Sequence, residues 1–407
     1  MQTLSTPAKL AVRKIALQSI SDEDLCRWQR LADRGCEPNP FLSPDFVMPL
    51  IQHLKVSAPV MMLAVTSART DEWLAAGVFE IEALSRWWPL AYARSLSSHY
   101  IFLDGILLDR HEGTPAIVAL FQSQSQRRDW HGLHFGAIRS NSELALFLDA
   151  AAFRIGIPAY RCRSWSRASF YNRAPQTFDD ILSGCSKSRR KSLRRGRKRL
   201  EEAGEVKHRL VCPDSGSSAF VDTFLRLEGL GWKGAAGTAL SCNSSDEAFF
   251  RQMIGGFARR NAVFFGELSV DGTPIASTCN LRCGDMLCAF KIGWDPAFAA
   301  AGIGMLAEVE LAVAVSQELP EISRIDSSTK LGSYIESIWH DREPMISVTY
   351  SWSNRGAALQ LARQCMKQFR SYTTERAAVV TDSSDIVDVS DVEQVLGKVD
   401  SANCGVR

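Results

Sequence analysis

Two stretches of this sequence predict the same order of secondary-structure elements. In each, helical segments precede three apolar, β-prone runs, which are followed by an amphipathic helix and one more β-prone run. The three strand runs are "APVMMLAVTS", "EWLAAGVFEIEAL" and "SHYIFLDGILLD" in the first half, and "NAVFFGELSV", "TPIASTCNLR" and "DMLCAFKIGW" in the second. The Asp271–Gly272 pair between the first two runs of the second half favours a β-hairpin. A repeated order of this length indicates a duplicated α+β domain.

The seam of this repeat falls near residues 170–178, which predicts three regions. These are an N-terminal domain at 1–170, a C-terminal domain at 171–371, and an acidic, Ser-rich tail at 372–407 that we expect to be disordered. The formal net charge of +2 argues against a chain that binds polyanions over its whole surface.

The composition also limits the type of site and the location that we expect. The eleven cysteines are scattered and form no Cys-x-x-Cys pair, so no metal site is expected. The N-terminus lacks the apolar region of a secretory signal, and the apolar runs are too short or too interrupted by charge to span a bilayer. We therefore expect a cytoplasmic protein.

The stretch "FKIGWDPAFAAAGIGMLAEVELAV" carries the clearest chemical signal. A predicted strand ends near Trp294, and Gly302-Ile303-Gly304 then opens a helix. Glycines at a helix start let backbone N–H groups approach a phosphate, and the helix dipole favours the anion. A tight loop that requires two glycines is the alternative interpretation. Because antiparallel strands precede the turn, a dinucleotide-binding fold of parallel βαβ units is not expected.

This order, with a Gly-x-Gly turn after the third strand, resembles the GNAT acyltransferase fold. The resemblance implies tandem duplicated GNAT-like domains with mixed, mostly antiparallel sheets and flanking helices. It also implies that Gly302, Ile303 and Gly304 hold the pyrophosphate of acetyl-CoA or another acyl-CoA, without a metal. The family pattern places Gln or Arg where this chain has Ala299.

The chain is more specifically similar to FemAB-like, CelD-type acyltransferases linked to cellulose and exopolysaccharide biosynthesis. The matching stretches include "NPFLSPDFV", "SGCSKSRRKSLRRGRKRLEEAGEV", "FLRLEGLGWKGAAGTAL" and "RIDSSTKLGSYIESIW". This resemblance implies an acyl-CoA-dependent N- or O-acyltransferase whose acceptor is a small molecule or a saccharide. Many relatives have Tyr-Lys where this chain has Tyr334-Ile335, and we place Tyr334 among the substrate-binding residues.

Charged residues near the glycine turn supply the other candidates. Asp326 follows a strand and is the expected general base, although a strand-end Asp also forms turns. Lys291 and Asp295 flank the exit of the third strand, where a cation favours a phosphate or the thioester oxyanion; a simple ion pair is the alternative.

A predicted helix end and the Gly-rich loop after it give the remaining acceptor-side candidates. Glu228 is placed with the catalytic residues, and Trp232 and Lys233 with those that bind substrate, in a mobile lid or acceptor wall. A capped helix end with Trp232 packed on the core is the alternative.

The run "KSRRKSLRRGRKRLEEAGEV" predicts an amphipathic helix that ends at Gly204. Its apolar stripe contains Leu193, Gly196, Leu200 and Ala203. The rest of its surface is basic, and Arg190 and Arg194 are the expected contacts to an anionic substrate.

Two other functions stay open at this point. FemAB-like proteins that build peptidoglycan cross-bridges use aminoacyl-tRNA, and a basic helix suits an RNA donor. A nucleic-acid-binding protein that uses residues 187–199 is the third possibility, although no reading motif accompanies the run.

Overall fold

The computed structural model describes residues 10–55, 59–85, 88–127, 129–214 and 218–362. The predicted tail at 372–407 lies outside these residues. Contacts divide the chain into two units, Met1–Ala357 and Ala358–Arg407, and the elements below belong to the first.

The strands of the described residues belong to one sheet. They are β1 (Leu10–Ile15), β2 (Val60–Ser67), β3 (Trp73–Ser85), β4 (Trp88–Ser95), β5 (Leu107–Leu108), β6 (Gly132–Arg139), β7 (Ala159–Tyr171), β8 (Val206–Val211), β9 (Val263–Val270), β10 (Thr273–Cys283), β11 (Met286–Trp294), β12 (Arg324–Asp326) and β13 (Asp341–Ser351).

Helices flank this sheet. They are α1 (Asp22–Arg34), α2 (Pro44–His53), α3 (Gly113–Arg127), α4 (Glu143–Arg154), α5 (Phe178–Ser183), α6 (Lys187–Ala203), α7 (Ala219–Leu230), α8 (Trp232–Ala235), α9 (Ser244–Ala258) and α10 (Ile303–Glu318). Short 3₁₀ turns include Pro296–Ala301 and Tyr334–Ser337. The α+β class predicted from the sequence is confirmed.

The strand order reads nearly the same from either edge of the sheet. It is β1-β2-β3-β4-β6-β13-β7-β12-β11-β10-β9-β8, with β5 beside β3. The pairs β4–β6 and β11–β12 are parallel, and the other neighbours are antiparallel. Each half therefore contributes four antiparallel strands and then one parallel strand. The sequence indicates this repeat with three strands before the helix and does not identify β1 and β8.

The two halves exchange their last strands at the centre of the sheet. Strand β7 leaves the first half and pairs with β12, whereas β13 returns from the second half and pairs with β6. The exchanged strands also pair with each other from Asp341↔Ser169 to Tyr350↔Ala159. One sheet thus runs through both halves. The domain boundary at residue 170 remains a prediction.

The buried core has one part in each half and one part that both halves share. In the shared part, the Phe46 ring of α2 lies 5.5 Å from the Phe249 ring of α9 and 6.1 Å from that of Phe290 on β11. The first-half core lies under α3 and α4, and the second-half core lies under α10. Burial of aromatic rings between α2 and α9 holds the halves together.

Two details of the sequence interpretation are corrected. The run 98–109 was expected to be the third strand of the first half, but β4 takes that place and only Leu107–Leu108 are extended in the sheet. The residues before them pack Tyr100 and Phe102 into the shared core as a loop, so tertiary packing overrides their β propensity. The basic helix forms as predicted and buries Leu193, but Ala203 is exposed.

Candidate active site

A cavity of about 750 Å³ opens where β11 ends and α10 begins. Its walls are the end of β11, the first turns of α10 and the segment 327–335 after β12. Phe102 from the first half also lines it. The cavity therefore lies where the parallel strands β11 and β12 reach their carboxyl ends, and both halves contribute to its wall.

The glycine turn forms one end of this cavity. Gly302 has φ 70°, a left-handed conformation that favours glycine, and its carbonyl accepts the N–H groups of Met305 and Leu306 at 3.0 and 3.1 Å. The first N–H groups of a helix have no acceptor within the helix, so those of Ile303 and Gly304 are open to an anion. A Cβ on Gly304 would lie 3.2 Å from Nε1 of Trp294, so this glycine lets α10 begin close to β11.

The basic helix α6 packs against the loop that leads into the glycine turn. A Cβ on Gly196 would lie 2.0 Å from the carbonyl oxygen of Ala301, and Arg199 Nη1 donates to the Ala300 carbonyl oxygen at 2.7 Å. The close approach of α6 thus fixes the loop that precedes Gly302.

The two arginines predicted to bind substrate are engaged elsewhere. Arg190 Nη1 donates to the Ser183 carbonyl oxygen at 2.9 Å, and Arg194 lies 2.9 Å from the exposed Asp179. Neither arginine lines the cavity.

A buried carboxylate, Glu228, holds two lysines that line the cavity. Glu228 Oε1 lies 3.4 Å from Lys233 Nζ and 3.3 Å from Lys291 Nζ, and both lysines line the cavity. Glu228 Oε2 accepts the Leu240 N–H at 2.9 Å, and Lys233 Nζ also donates to the Ile292 carbonyl oxygen at 3.1 Å. Burial lowers the pKa of Lys233, which Glu228 opposes.

One glycine on β11 allows Glu228 on α7 to lie close to the lysines. A Cβ on Gly293 would lie 2.5 Å from the Glu228 backbone nitrogen, so glycine on β11 allows α7 to pack against that strand. With both lysines protonated, one carboxylate and two ammonium groups leave one positive charge beside the cavity. Such a charge favours an anion or a developing oxyanion.

Asp326 does not line the cavity. Its side chain is fully buried; Arg139 Nη2 lies 3.1 Å from Oδ2 and Arg167 Nη1 lies 3.2 Å from Oδ1. The Ser328 N–H donates to Oδ1 at 2.8 Å. Burial opposes ionisation, but the charges of Arg167 and Arg139 outweigh it and hold the pKa of Asp326 below its usual range. A carboxylate held in this way is poorly suited to accept a proton.

The other predicted site residues differ in what they contact: one caps a turn and another lines the cavity. Asp295 Oδ1 accepts the Ala297 N–H at 2.9 Å and caps the turn Pro296–Ala301. Tyr334 and Ala299 line the cavity. The side chain of Trp232 lies outside the described part of the structure.

Sequence interpretation did not identify Glu308, which also lines the cavity. It lies four residues after Gly304 on the helix, and 4% of its surface is exposed. Burial raises the pKa of Glu308 to about 8, and the hydroxyl of Tyr334 opposes this rise. The available signal was one acidic residue among the apolar residues of "GIGMLAEVELAV", at helical spacing from the glycine turn.

Comparison with known proteins places this site in a family. Residues 187–330, a little over a third of the chain, match the family model described as an acetyltransferase (GNAT) domain. Residues 187–330 are a GNAT acetyltransferase-family domain. A search of curated proteins finds no match to the chain.

Solved structures show the same fold over most of the chain. The crystal structure of FemX is 9% identical over 86% of this chain and 100% of that chain, with a TM-score of 0.53. The C-terminal domain of a putative lysylphosphatidylglycerol synthetase from Agrobacterium fabrum is 13% identical over 84% and 95%, with a TM-score of 0.50. A protein of unknown function from Bacteroides thetaiotaomicron is 9% identical over 84% and 100%, with a TM-score of 0.51. The predicted GNAT fold is confirmed.

Two features are absent from the described residues. None of their helices has the length and hydropathy needed to cross a bilayer. They also contain no group of three or more His, Cys, Asp or Glu side chains arranged to hold a metal ion.

Proposed function

We propose that this GNAT acyltransferase domain transfers an acyl group from a coenzyme A thioester to an acceptor bound in the cavity. The observation that carries this proposal is the glycine turn at the cavity end. There a left-handed Gly302 and the open N–H groups of Ile303 and Gly304 form an anion site at a helix start. A diphosphate bound at that point would direct the thioester into the space between α10 and the segment 327–335.

The lysine cluster has a role in this proposal. Lys233 and Lys291 share the Glu228 carboxylate, so their net positive charge faces the region where a thioester carbonyl would react. Lys291 Nζ also lies 5.0 Å from the ring centre of Tyr100, which limits its freedom of movement. A fixed cation at this point would stabilise the negative charge that develops on the carbonyl oxygen.

The acceptor in this proposal is a sugar or a polysaccharide precursor, as the resemblance to CelD-type proteins implies. The cavity is formed by both halves and is large enough for a thioester arm and a small acceptor.

Calorimetry with acetyl-CoA tests the donor assignment. The wild type should bind acetyl-CoA, and Gly304→Glu should weaken binding by about 100-fold or more. The new side chain meets Trp294 at its Cβ, and its carboxylate repels the diphosphate. Gly304→Ala is the matched control, because it adds the same Cβ without the charge and should retain most of the affinity. Absence of binding to the wild type would contradict the donor assignment.

A second candidate donor is aminoacyl-tRNA, and one observation on α6 favours it. Among the described residues, Lys187, Lys191 and Arg195 make no ion pair, although neighbouring arginines on the same helix do. These three residues recur every four positions and form one basic stripe on a helix that contacts the glycine turn.

Salt dependence distinguishes the two donors. Binding of tRNA that weakens steeply with salt, and that is lost when Lys187, Lys191 and Arg195 are all changed to Glu, would support the RNA donor. If acyl-CoA is the donor, the same triple variant should bind acetyl-CoA nearly as well as the wild type does.

A further inference from the structure

The outer face of α4 is apolar although it is exposed to solvent. Phe153 is 89% exposed and Leu146 is 67% exposed, and Ala150 between them is also exposed. These residues recur at intervals of four and three positions, so they form one stripe along the helix, here called the α4 stripe. The inner face of the same helix buries Leu144 and Leu148 in the first-half core. Adjoining apolar side chains that remain exposed on a folded protein indicate an interaction surface.

Two opposite charges lie beside the α4 stripe at the two ends of the helix. Glu143 is the first residue of α4 and Arg154 is the last, and both are exposed. Their separation is close to three helical turns, so they lie on the same side of the stripe. Arg110 Nε lies 3.3 Å from Glu143, but this is a surface pair that adds little stability. Arg154 makes no ion pair among the described residues.

This arrangement is complementary to a second copy of itself. When a twofold axis relates two antiparallel helices, each residue faces one that lies equally far beyond the midpoint on the other copy. The midpoint of Leu146 and Phe153 and the midpoint of Glu143 and Arg154 both lie between positions 148 and 150. One axis therefore places Leu146 against Phe153 of the second copy. The same axis places Glu143 beside Arg154 of the second copy, with the small Ala150 where the two helices cross.

We propose that this protein forms a twofold symmetric dimer in which the α4 stripe packs antiparallel against the α4 stripe of a second copy. The inference does not depend on the proposed acyl transfer, because no residue of α4 lines the cavity. The charges favour this partner over a negatively charged membrane or a nucleic acid. Such a surface would attract Arg154 but repel Glu143, whereas a second copy pairs both.

The size of the α4 stripe sets the expected strength of the dimer. A helix of 12 residues is about 18 Å long. One pair of such helices buries less than the roughly 800 Å² per partner of a standard stable interface. We therefore expect a dissociation constant of about 10–100 μM. The apolar contacts supply the affinity, and the charged pairs fix the antiparallel orientation.

Sedimentation velocity of the full chain from about 1 to 500 μM tests the apolar contact. The wild type should change from monomer to dimer over this range. Phe153→Glu should weaken the dimer by about 100-fold or more, because a buried charge would face Leu146 of the second copy. Its unfolding curve should match that of the wild type, since Phe153 is almost fully exposed in one copy.

Reversal of the charges tests the antiparallel twofold arrangement. Glu143→Arg alone and Arg154→Glu alone should each weaken the dimer by about tenfold or more, because like charges then meet at both symmetric contacts. An equal mixture of these two variants should associate within about threefold of the wild type, because every contact again joins opposite charges. Mixing leaves each helix as unfavourable for its own dipole as before, so only contact between copies explains the recovery.

Arg127→Glu is the matched control for these reversals. Arg127 is the last residue of α3, as Arg154 is of α4, and it is exposed. This variant should dimerise as the wild type does. A dimer that weakens equally with Arg127→Glu would reflect net charge alone and would overturn the inference.

Three other results would also overturn the inference. They are a wild type that stays monomeric throughout the concentration range, a dimer that Phe153→Glu leaves unchanged, and a mixture of the two charge variants that stays monomeric. Flotation with phosphatidylglycerol vesicles tests the competing partner. A monomeric wild type that floats with the vesicles, and a Phe153→Glu variant that does not, would assign the α4 stripe to a membrane surface instead.

Discussion

The starts of α3 and α10 occupy matching places in the two halves, between the antiparallel strands and the parallel strand. At α10, a left-handed glycine leaves the first N–H groups open beside a cavity. Before α3, Asp109 Oδ1 accepts the N–H groups of His111 and Glu112 at 2.9 and 3.1 Å. Arg34 fixes the other oxygen of Asp109 at 3.1 Å. The first half therefore has a carboxylate of its own just before its helix start, whereas the second half has a cavity beside its helix start.

This difference shows that the fold alone does not define the site. Both halves present a helix start after antiparallel strands, but in the first half a Cβ on Gly113 would meet the Phe147 ring at 2.9 Å. Side chains thus fill the space that the second half leaves free. The first half instead contributes walls, such as Phe102, and the arginines that hold Asp326.

The largest effect is expected where the two halves meet, at Asp326. Asp326→Ala leaves Arg139 and Arg167 buried without their shared partner and should reduce the free energy of unfolding by about 3–5 kcal/mol. Chemical denaturation should show one transition, because the exchanged strands join the halves. Asp179→Ala is the control, since it removes an exposed carboxylate paired with Arg194 and should change stability by less than about 1 kcal/mol. Two separate transitions would show that the halves unfold independently.

The sequence predicts the local parts of this architecture because they depend on near neighbours. The Asp271–Gly272 hairpin forms with positive φ at both residues, and Gly302 opens α10 as the glycine pattern indicates. Leu193 and Leu200 are buried on α6 at the predicted spacing.

The exchange of β7 and β13 could not be predicted in the same way. It depends on pairing between residues about 170 positions apart, such as Asp341 and Ser169, and no local pattern specifies that register. For the same reason the sequence does not show that Asp326 meets Arg139 and Arg167. Its position at a strand end is compatible with a base, and only the tertiary contacts reveal a buried ion pair.

The next effect contrasts two of the buried carboxyls of the second half, Glu308 and Asp326, by their response to pH. Glu308 has a folded-state pKa raised from 4.5 to about 8, so the folded protein binds its proton more tightly than the unfolded chain does. Its contribution to stability is therefore lost as pH rises from about 4.5 to about 8. Asp326 has a lowered pKa, so its contribution is present above the unfolded value of 3.8 and is lost on acidification.

Denaturation curves across this pH range test the contrast. Relative to Glu308→Gln, the wild type should lose about 2 kcal/mol or more between about pH 5 and pH 8, because a tenfold change in proton affinity corresponds to about 1.4 kcal/mol. Burial also raises the pKa of Glu310, which the charge of Arg197 opposes, so Glu310→Gln should remove a smaller part of that slope. Parallel curves for the wild type and Glu308→Gln would mean that Glu308 has an ordinary proton affinity in the folded protein.

The smallest effect is expected at Asp109, just before the start of α3 in the first half. Asp109→Ala removes the acceptor of two N–H groups and a partner of Arg34, and should destabilise the fold by about 1 kcal/mol. Calorimetry should still find one acetyl-CoA per chain with unchanged affinity, because Phe147 continues to fill the space at Gly113. A second bound acetyl-CoA would mean that one carboxylate accounts for the whole difference between the halves. A weaker single site would mean that the first half takes part in donor binding.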